Sequence, residues 1–338
     1  MPTKEQLKQF KEKVDPVIDE VLISDINHKF RDVVKYQIAT GGKRLRPALA
    51  IMSCKLARGR LNNILYPAAG LEILHNYTLI VDDIIDHGLL RRNKPTLWVK
   101  YGTSIAECMA VAYVSSVFQT ANHSPKPVKV SDIFSETLKK IMADGEINDI
   151  LFERFGREDE YFIRKNRPKL VTQSQYIEMI SKKTASLFEA CCEVGGVCAG
   201  ATKREIQNLK DFGFNFGLAF QVRDDILDIF GDVEKFGKHI GKDIEERKGG
   251  NIVLLFAFQE LNKKQKQRIY SIMKKKKIKQ TEIKEVINLV SGTNARKKAI
   301  KLGEKFIQKA KNSLVHLPNN KWNKSLADLA DFVVARTS

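Results

Sequence analysis

Two copies of one acidic pattern constrain how this chain can fold. The segment DDIID at residues 82–86 returns as DDILD at residues 224–228. On a helix, positions i, i+1 and i+4 lie close together, so each copy forms a compact acidic patch. Two carboxylates about 5 Å apart repel each other by roughly 3 kcal/mol at an effective dielectric of about 20. A fold that carries both patches in apolar surroundings must therefore supply cations.

Magnesium is the cation that suits these ligands. Clustered carboxylate oxygens are hard ligands, and Mg²⁺ typically binds one or two of them together with waters and substrate phosphates. Taken singly, either segment could also be a solvated acidic turn of an amphipathic helix. The pair, with apolar neighbours and basic residues near each copy, favours metal binding.

Helical periodicity runs through most of the chain. Apolar residues recur at intervals of three and four, whereas strand alternation and hairpin signals are scarce. The sequence therefore predicts an all-α fold, and no Pro/Ser-rich linker divides it, so we expect a single domain over residues 1–338. A long polar loop is expected from about 153 to 169. Helices are expected at about 4–22, 27–39, 47–57, 65–86, 104–120, 130–155, 174–199 and 203–230, with more after residue 251.

The net charge of +18 is large, and nucleic acid, an anionic membrane or anionic small substrates could each explain it. Much of the excess lies in the last third, around residues 263–264, 274–277 and 297–298. Because no nucleic-acid motif accompanies these lysines, we expect no nucleic-acid partner. We interpret them as solvated helix surface, with loose peripheral membrane contact as the alternative.

Other features favour the cytoplasm. The N-terminal residues lack the apolar core of a secretory signal, and the longest apolar run, 252–258, is too short to span a bilayer. The five cysteines form no C-x-x-C pair, which fits reduced thiols better than disulfides or zinc.

Basic residues surround both acidic segments. GGKRLRP at 41–47 combines two glycines, three cations and a proline suited to the first turn of a helix, a pattern typical of an anion cradle. His75 lies two turns before Asp82, where it is either a ligand-binding or a buried structural residue. Paired arginines at 91–92 are suited to bidentate phosphate binding.

The second segment has similar neighbours. Glu146, Asp149 and Glu153 are expected on one helix face, ahead of a Lys-Lys-Thr sequence at 182–184. A glycine-rich loop at about 237–250 carries several lysines and is a candidate lid over a bound polyanion.

With these residues assembled, the chain resembles the trans-isoprenyl diphosphate synthases, and in particular archaeal-type geranylgeranyl diphosphate synthases. The resemblance covers about residues 39–251 in the family's order: GGKRLRP, E-x-L-H, DDxxD with RR-x-KPT, Lys-Thr, FQ-x-x-DD-x-x-D and a late lysine loop. It implies a helical bundle around a central active-site cavity, a homodimer, and two aspartate motifs that face each other.

The resemblance also implies a role for each matching residue. Three Mg²⁺ ions that bridge the allylic diphosphate would be held by Asp82, Asp83, Asp86, Asp224, Asp225 and Asp228. Isopentenyl diphosphate would be bound by Lys43, Arg46, His75 and Arg92. The allylic diphosphate would be bound by Arg91, Lys183, Lys238 and Lys248, with the dipoles of Thr184 and Gln221 toward its allylic carbons.

The implied reaction is head-to-tail prenyl transfer. Loss of diphosphate from the allylic substrate leaves a cation that the double bond of isopentenyl diphosphate attacks, and a proton is then lost, in the family picture to the departed diphosphate. Mg²⁺ and cationic side chains stabilise the departing diphosphate, so no protein nucleophile is needed. Tyr77, about one and a half turns before Asp82, resembles the aromatic floor that limits product length in this family, with ordinary core as the alternative. With this floor and no insertion in the motif, we expect geranylgeranyl diphosphate as product.

Three positions depart from the family pattern. Asn93 follows the paired arginines where Gly is common, and Asn tolerates unusual backbone angles. Ala110-Val111 replaces a Gly-Asp pair, and Glu146 replaces a Gln. These changes leave the aspartates untouched but bear on the cavity wall and hence on product length.

Several alternatives remain at this stage. Farnesyl or longer-chain products are possible, and so is a non-catalytic subunit of a two-subunit prenyl synthase. A terpene cyclase would not need the Lys43, Arg46 and His75 site, and a squalene-type synthase would carry D-x-x-x-D patterns instead. A basic nucleic-acid-binding helical protein is the last alternative.

Overall fold

The structure is a computed structural model that describes residues 4–231 and 240–335. Its regular structure is helical apart from one two-stranded hairpin, which confirms the all-α prediction. The elements of the first half are α1 (Lys4–Ile23), α2 (Arg31–Ala39), α3 (Leu45–Leu56), α4 (Leu61–Ile85), β1 (Leu90–Arg91), β2 (Lys94–Pro95), α5 (Leu97–Tyr101), α6 (Thr103–Ala121), α7 (Pro127–Lys139), α8 (Ile147–Leu151) and α9 (Tyr161–Asn166). Those of the second half are α10 (Gln173–Ile180), α11 (Ser186–Ala199), α12 (Lys203–Phe230), α13 (Lys242–Glu245), α14 (Ile252–Glu260), α15 (Lys263–Met273), α16 (Gln280–Ser291), α17 (Ala295–Leu314) and α18 (Lys321–Ala335).

One compact unit contains the residues up to Leu138 together with Leu187–Phe214 and Ala310–Ala330. Its central element is α4, which packs against α1, α3 and α6. Because α4 is apolar on nearly every side, neighbouring helices cover most of its surface. Gly70 lets α6 approach closely, since a Cβ there would overlap Oγ1 of Thr120.

The other unit contains Lys139–Ser186, Asn215–Lys309 and the residues from Asp331. Two π-helical turns, Lys140–Glu146 and Ser181–Ala185, pack against each other within it. Gly145 permits this contact, because a Cβ on it would overlap the backbone of Lys183. The start of α14 is capped by Asn251, whose side-chain oxygen accepts hydrogen bonds from the N–H groups of Val253 and Leu254 at 2.9 and 3.2 Å.

Three sequence predictions about elements were wrong in detail, the first being the helix expected over 174–199, which the π-helical turn Ser181–Ala185 interrupts. The other two concern the segment from 130 to 169. The helix expected over 130–155 is interrupted by the π-helical turn Lys140–Glu146 and ends at Leu151. The polar loop expected after it contains the short helix α9, which is anchored by the buried side chain of Ile163. Both departures depend on contacts with distant residues, which periodicity alone does not reveal. The single-domain prediction stays a prediction.

Within residues 4–231 and 240–335, no helix combines the length and the apolar character that crossing a bilayer requires.

Candidate active site

The first aspartate motif closes the last turn of α4. The helix ends at Ile85, and the N–H of Asp86 donates to the carbonyl of Asp82 at 2.8 Å, so the two side chains share one turn. Both are half-buried, whereas Asp83 between them is buried. The predicted arrangement of three neighbouring carboxylates is therefore present at this helix end.

The charge of Asp83 is balanced by Arg91, a residue predicted to bind substrate. Arg91, on β1, donates from Nε and Nη2 to the two carboxylate oxygens of Asp83 at 2.7 and 2.8 Å. Burial alone would lower the pKa of Arg91, but the hydrogen bonds and charge of Asp83 raise it. This bidentate pair fixes the hairpin against the motif, and the role of Arg91 in diphosphate binding stays a prediction.

His75 lies among the charges of four arginines of this unit, Arg44, Arg46, Arg91 and Arg92. His75 lies on α4, and burial followed by the charges of Arg46 and Arg92 holds its pKa well below the ordinary value. The imidazole is therefore neutral at pH 7, when it can still donate one hydrogen bond to an anion. Arg46 stacks on the ring of Phe188 at 4.6 Å, while Lys43 is exposed. The arrangement of Lys43, Arg46, His75 and Arg92 within one unit fits an anion site.

The turn before α3 and the hairpin both contain residues with positive φ, and the sequence predicted only some of them. Gly41 and Gly42 have φ of +112° and +140°, as the glycine pair predicted. Arg92 and Asn93 are also left-handed, with φ of +53° and +61°, so Asn93 does tolerate the position where the family often has glycine. Arg92 donates to the carbonyl of Gly41, which joins the hairpin to the turn.

Arg44 has a structural role that the sequence did not reveal. It is buried, and its guanidinium binds Asp15 at 2.7 Å and Glu72 at 3.2 Å. The only signal in the sequence was Glu72, an acidic residue on an otherwise apolar helix that requires a partner. Arg44 therefore holds the basic turn to α1 and α4.

Tyr77 lies on α4 between His75 and Asp82 and is half-buried. Burial, followed by the charge of Asp82, raises the pKa of its phenol. The phenol is therefore neutral at physiological pH. Its role as a floor for the growing product stays a prediction.

The second aspartate motif lies on α12, in the other unit. Asp225 is buried and accepts hydrogen bonds from the hydroxyl of Tyr176 at 2.8 Å, the amide of Gln221 at 2.9 Å and the N–H of Ile252 at 2.9 Å. Asp228 accepts from the N–H groups at the start of α13 at 3.0 and 3.1 Å. Asp224 is half-buried. Thr184 donates to Gln221 at 2.8 Å, which brings this predicted pair together.

Asp243 is a further carboxylate of this cluster that sequence reasoning missed. Its Oδ2 accepts a hydrogen bond from Asn251 at 2.7 Å. Burial, followed by repulsion from Asp243, raises the pKa of both Asp225 and Asp228 well above the ordinary value. A bound cation would relieve this repulsion, so the donor set fits a divalent metal ion. Asp243 lies in a segment of mixed charge, KDIEERK at 242–248, and only its folded position reveals its closeness to the motif.

Mg²⁺ fits these residues better than an ion that needs a protein cage. In the described part of the chain, no three His, Cys, Asp or Glu side chains by themselves form a metal-binding group. Mg²⁺ commonly takes one or two carboxylates and completes its shell with water and substrate phosphate. The half-buried carboxylates of Asp82, Asp86, Asp224 and Asp228 are suited to that mode.

Two lysines of the second unit share a buried acidic cluster. Lys183 lies 2.7 Å from both Glu146 and Asp149, and Lys248 lies 2.8 Å from Asp149 and 3.8 Å from Glu153. Burial alone would raise the pKa of Asp149, but the two ammonium groups outweigh it and lower the pKa. The three carboxylates share one cluster but not one helix face, because Glu146 lies in a π-helical turn and Glu153 follows the end of α8. Lys238 lies outside the described residues.

Comparison with known proteins shows the family to which the chain belongs. The model of the family described as "Polyprenyl synthetase" matches residues 27–290. The chain belongs to the polyprenyl synthetase family. It is an isoprenyl diphosphate synthase, a prenyltransferase that acts on isopentenyl diphosphate and allylic diphosphates, as the sequence predicted.

Three relatives align with nearly the whole length of this chain. A short chain isoprenyl diphosphate synthase of Methanocaldococcus jannaschii is 32% identical over 324 residues, which are 94% of this chain and 93% of the relative. A geranylgeranyl diphosphate synthase of Sulfolobus acidocaldarius is 32% identical over 336 residues, or 96% and 95%. An octaprenyl diphosphate synthase of Escherichia coli is 29% identical over 323 residues, or 96% and 94%.

A solved structure shares the fold. It is a polyprenyl synthase of Caulobacter crescentus complexed with calcium and isoprenyl diphosphate, with a TM-score of 0.86, 28% identity, and coverage of 99% of this chain and 98% of that one. The fold is therefore the isoprenoid synthase fold, and divalent metal binding occurs in this family.

Proposed function

We propose that this synthase transfers allylic groups head-to-tail (1'-4) onto isopentenyl diphosphate, with Mg²⁺, and makes all-trans geranylgeranyl diphosphate. The observation that carries the proposal is the pair of complete aspartate motifs, each folded beside cationic side chains within its own unit. The carboxylates of both motifs would hold Mg²⁺, which supplies Lewis-acid stabilisation of the departing diphosphate.

The side chains of the chain itself bind and orient the two substrates. Lys43, Arg46, His75 and Arg92 are proposed to bind the diphosphate of isopentenyl diphosphate. A neutral His75 donates a hydrogen bond there without adding charge, and three cations supply the electrostatic attraction. The allylic diphosphate is assigned to Arg91, Lys183, Lys238 and Lys248, and Thr184 and Gln221 orient its reacting end.

The product length rests on Tyr77. Its ring is half-buried on the helix that carries Asp82, five residues away, where a growing chain bound at that motif would meet it. The geranylgeranyl relative of Sulfolobus acidocaldarius favours the same length. The octaprenyl relative of Escherichia coli keeps a longer product as the second candidate, and a farnesyl product or a non-catalytic subunit is a further alternative.

A homodimer in the cytoplasm is also proposed. Ile105, Cys108 and Val111 form an exposed stripe on α6, with Val111 69% exposed, and a second copy of the chain would cover such a face. All five cysteines are free in the described residues. Free thiols, one of them exposed, fit a reducing compartment.

Incorporation of labelled isopentenyl diphosphate into acid-labile product tests the proposed reaction. The purified protein is mixed with Mg²⁺ and dimethylallyl, geranyl or farnesyl diphosphate. We expect elongation that EDTA abolishes, and we expect Asp82→Ala and Asp224→Ala each to lower the rate about a hundredfold or more. Asp132→Ala removes an exposed carboxylate of α7 and is the matched control. Equal rates in all three variants would refute the assignment of the motifs.

A further inference from the structure

A second basic surface lies in the unit that carries the second motif, outside the residues assigned to catalysis. An open cleft of about 400 Å³ marks it. We call it the basic aromatic surface and define it as residues 154–170 with Tyr270 and Lys274. The cleft is lined by Arg154, Phe155, Arg164, Lys169, Tyr270 and Lys274.

This surface is held in one conformation by its own side chains. Arg154 donates to the carbonyl of Lys169 at 2.8 Å, and Arg167 donates to the carbonyl of Gly156 at 2.6 Å. Ile163 anchors α9 from below with a buried side chain. These contacts within the segment support the conformation that exposes its cations and aromatic side chains.

Large apolar side chains point outward from the same segment. Tyr161, Phe162 and Leu170 are 65%, 62% and 66% exposed. Three large apolar side chains within ten positions of the chain are therefore exposed to solvent. Tyr and Phe beside basic residues are typical of protein segments that rest in the interface of a membrane.

The charge around these side chains is positive. Residues 161–170 contain four cations and no acidic residue. Of the three acidic residues just before them, Glu158 lies 3.8 Å from Arg167 and Glu160 lies 3.3 Å from Arg157, while Asp159 is exposed. Lys274 adds a further cation, 5.5 Å from the ring of Phe155. Exposed apolar side chains interspersed with cations along one segment complement a surface that is both anionic and amphiphilic.

We propose that the basic aromatic surface docks the protein on membranes that contain anionic phospholipid. Arg164, Lys165 and Lys169 contact the headgroups, and Tyr161, Phe162 and Leu170 enter the interface. This inference goes beyond the proposed function, because it concerns binding of the synthase to a membrane and does not depend on catalysis.

The structure favours a membrane over single-stranded nucleic acid. Bases bind to such proteins by stacking on open aromatic faces. Here cations already lie against the rings, with Lys165 5.8 Å and Arg164 5.9 Å from the centroid of Tyr161. Leu170, as exposed as the aromatic side chains, offers no stacking face but does partition into a lipid interface.

Flotation of the full-length protein with lipid vesicles tests the proposal. Vesicles of phosphatidylcholine alone are compared with vesicles that also contain phosphatidylglycerol. We expect binding to the anionic vesicles only, weakened by added salt. Replacing Arg164→Gln, Lys165→Gln and Lys169→Gln together should weaken it about a hundredfold, since each charge is worth about fivefold. Tyr161→Ser with Phe162→Ser should weaken it about tenfold.

The matched control removes three exposed lysines of α17 by Lys297→Gln, Lys301→Gln and Lys305→Gln. It should bind as the wild type does if the site is specific, and circular dichroism melting confirms that each variant is folded. Equal loss in the α17 variant would overturn the proposal in favour of a general charge effect. Equal binding to neutral vesicles would also overturn it. So would tighter binding to single-stranded RNA that is lost in the Arg164, Lys165 and Lys169 variant.

Discussion

Lys43 and Arg44 are adjacent cations with different surroundings, and this difference can be measured. Arg44→Ala leaves Glu72 buried without its partner, and we expect a loss of about 3 kcal/mol in the free energy of unfolding. Lys43→Ala, at an exposed position, should change that free energy by less than about 0.5 kcal/mol while raising the KM for isopentenyl diphosphate. Urea denaturation and steady-state kinetics separate the two effects. Equal stability of the two variants would contradict the structural role of Arg44.

Tyr77 is expected to set product length by its bulk. Tyr77→Ala should lengthen the main product by one or more isoprene units, because it removes the ring that would block the growing chain. Tyr77→Phe keeps the ring and removes only the hydroxyl, so it should leave the length unchanged. Chromatography of the dephosphorylated products gives the result, and an unchanged length in Tyr77→Ala would show that the residue is ordinary core.

At the scale of elements, the contact between the two π-helical turns depends on Gly145. Gly145→Ala should lower the free energy of unfolding by about 1–3 kcal/mol, because the added Cβ overlaps the backbone of Lys183. It should also raise the KM for the allylic substrate by moving that lysine. The control is Gly303→Ala in α17, where the nearest atom to a new Cβ is 3.6 Å away. There we expect a gain of up to about 1 kcal/mol. A Gly145→Ala protein as stable as the wild type would refute this packing.

The elements that the sequence predicted well are those defined by local pattern. The helix expected over 65–86 is α4, because its apolar residues and its motif are contiguous. Its start was missed by four residues, since Pro67 lies inside the helix rather than near its first turn. The π-helical turns were not predictable, because they arise from the approach of Gly145 to Lys183, which are distant in sequence.

The same distinction holds for the candidate site. The aspartates, His75 and the paired arginines follow from motif and spacing. Arg44 and Asp243 were missed because their roles come from partners that folding brings near, namely Glu72 for the first and the second aspartate motif for the other. Sequence reasoning therefore identified the residues of the motifs better than the residues that hold those motifs in place.

At the scale of the whole molecule, the α6 stripe predicts the oligomeric state. Val111→Glu introduces a charge into an apolar face, so we expect it to convert the dimer to a monomer. Val315→Glu changes an equally exposed valine that lies outside α6 and should leave the dimer intact. Light scattering coupled to size-exclusion chromatography measures both masses. A wild-type monomer, or a Val111→Glu dimer, would contradict the proposed interface.

The most direct test of the proposed function is the mass of the end product. The wild-type protein is incubated with Mg²⁺, excess isopentenyl diphosphate and each of three primers, dimethylallyl, geranyl and farnesyl diphosphate, and the products are identified by mass spectrometry. We predict geranylgeranyl diphosphate as the end product from all three primers. No elongation of any primer, or an end product shorter or longer than geranylgeranyl diphosphate, would contradict that prediction.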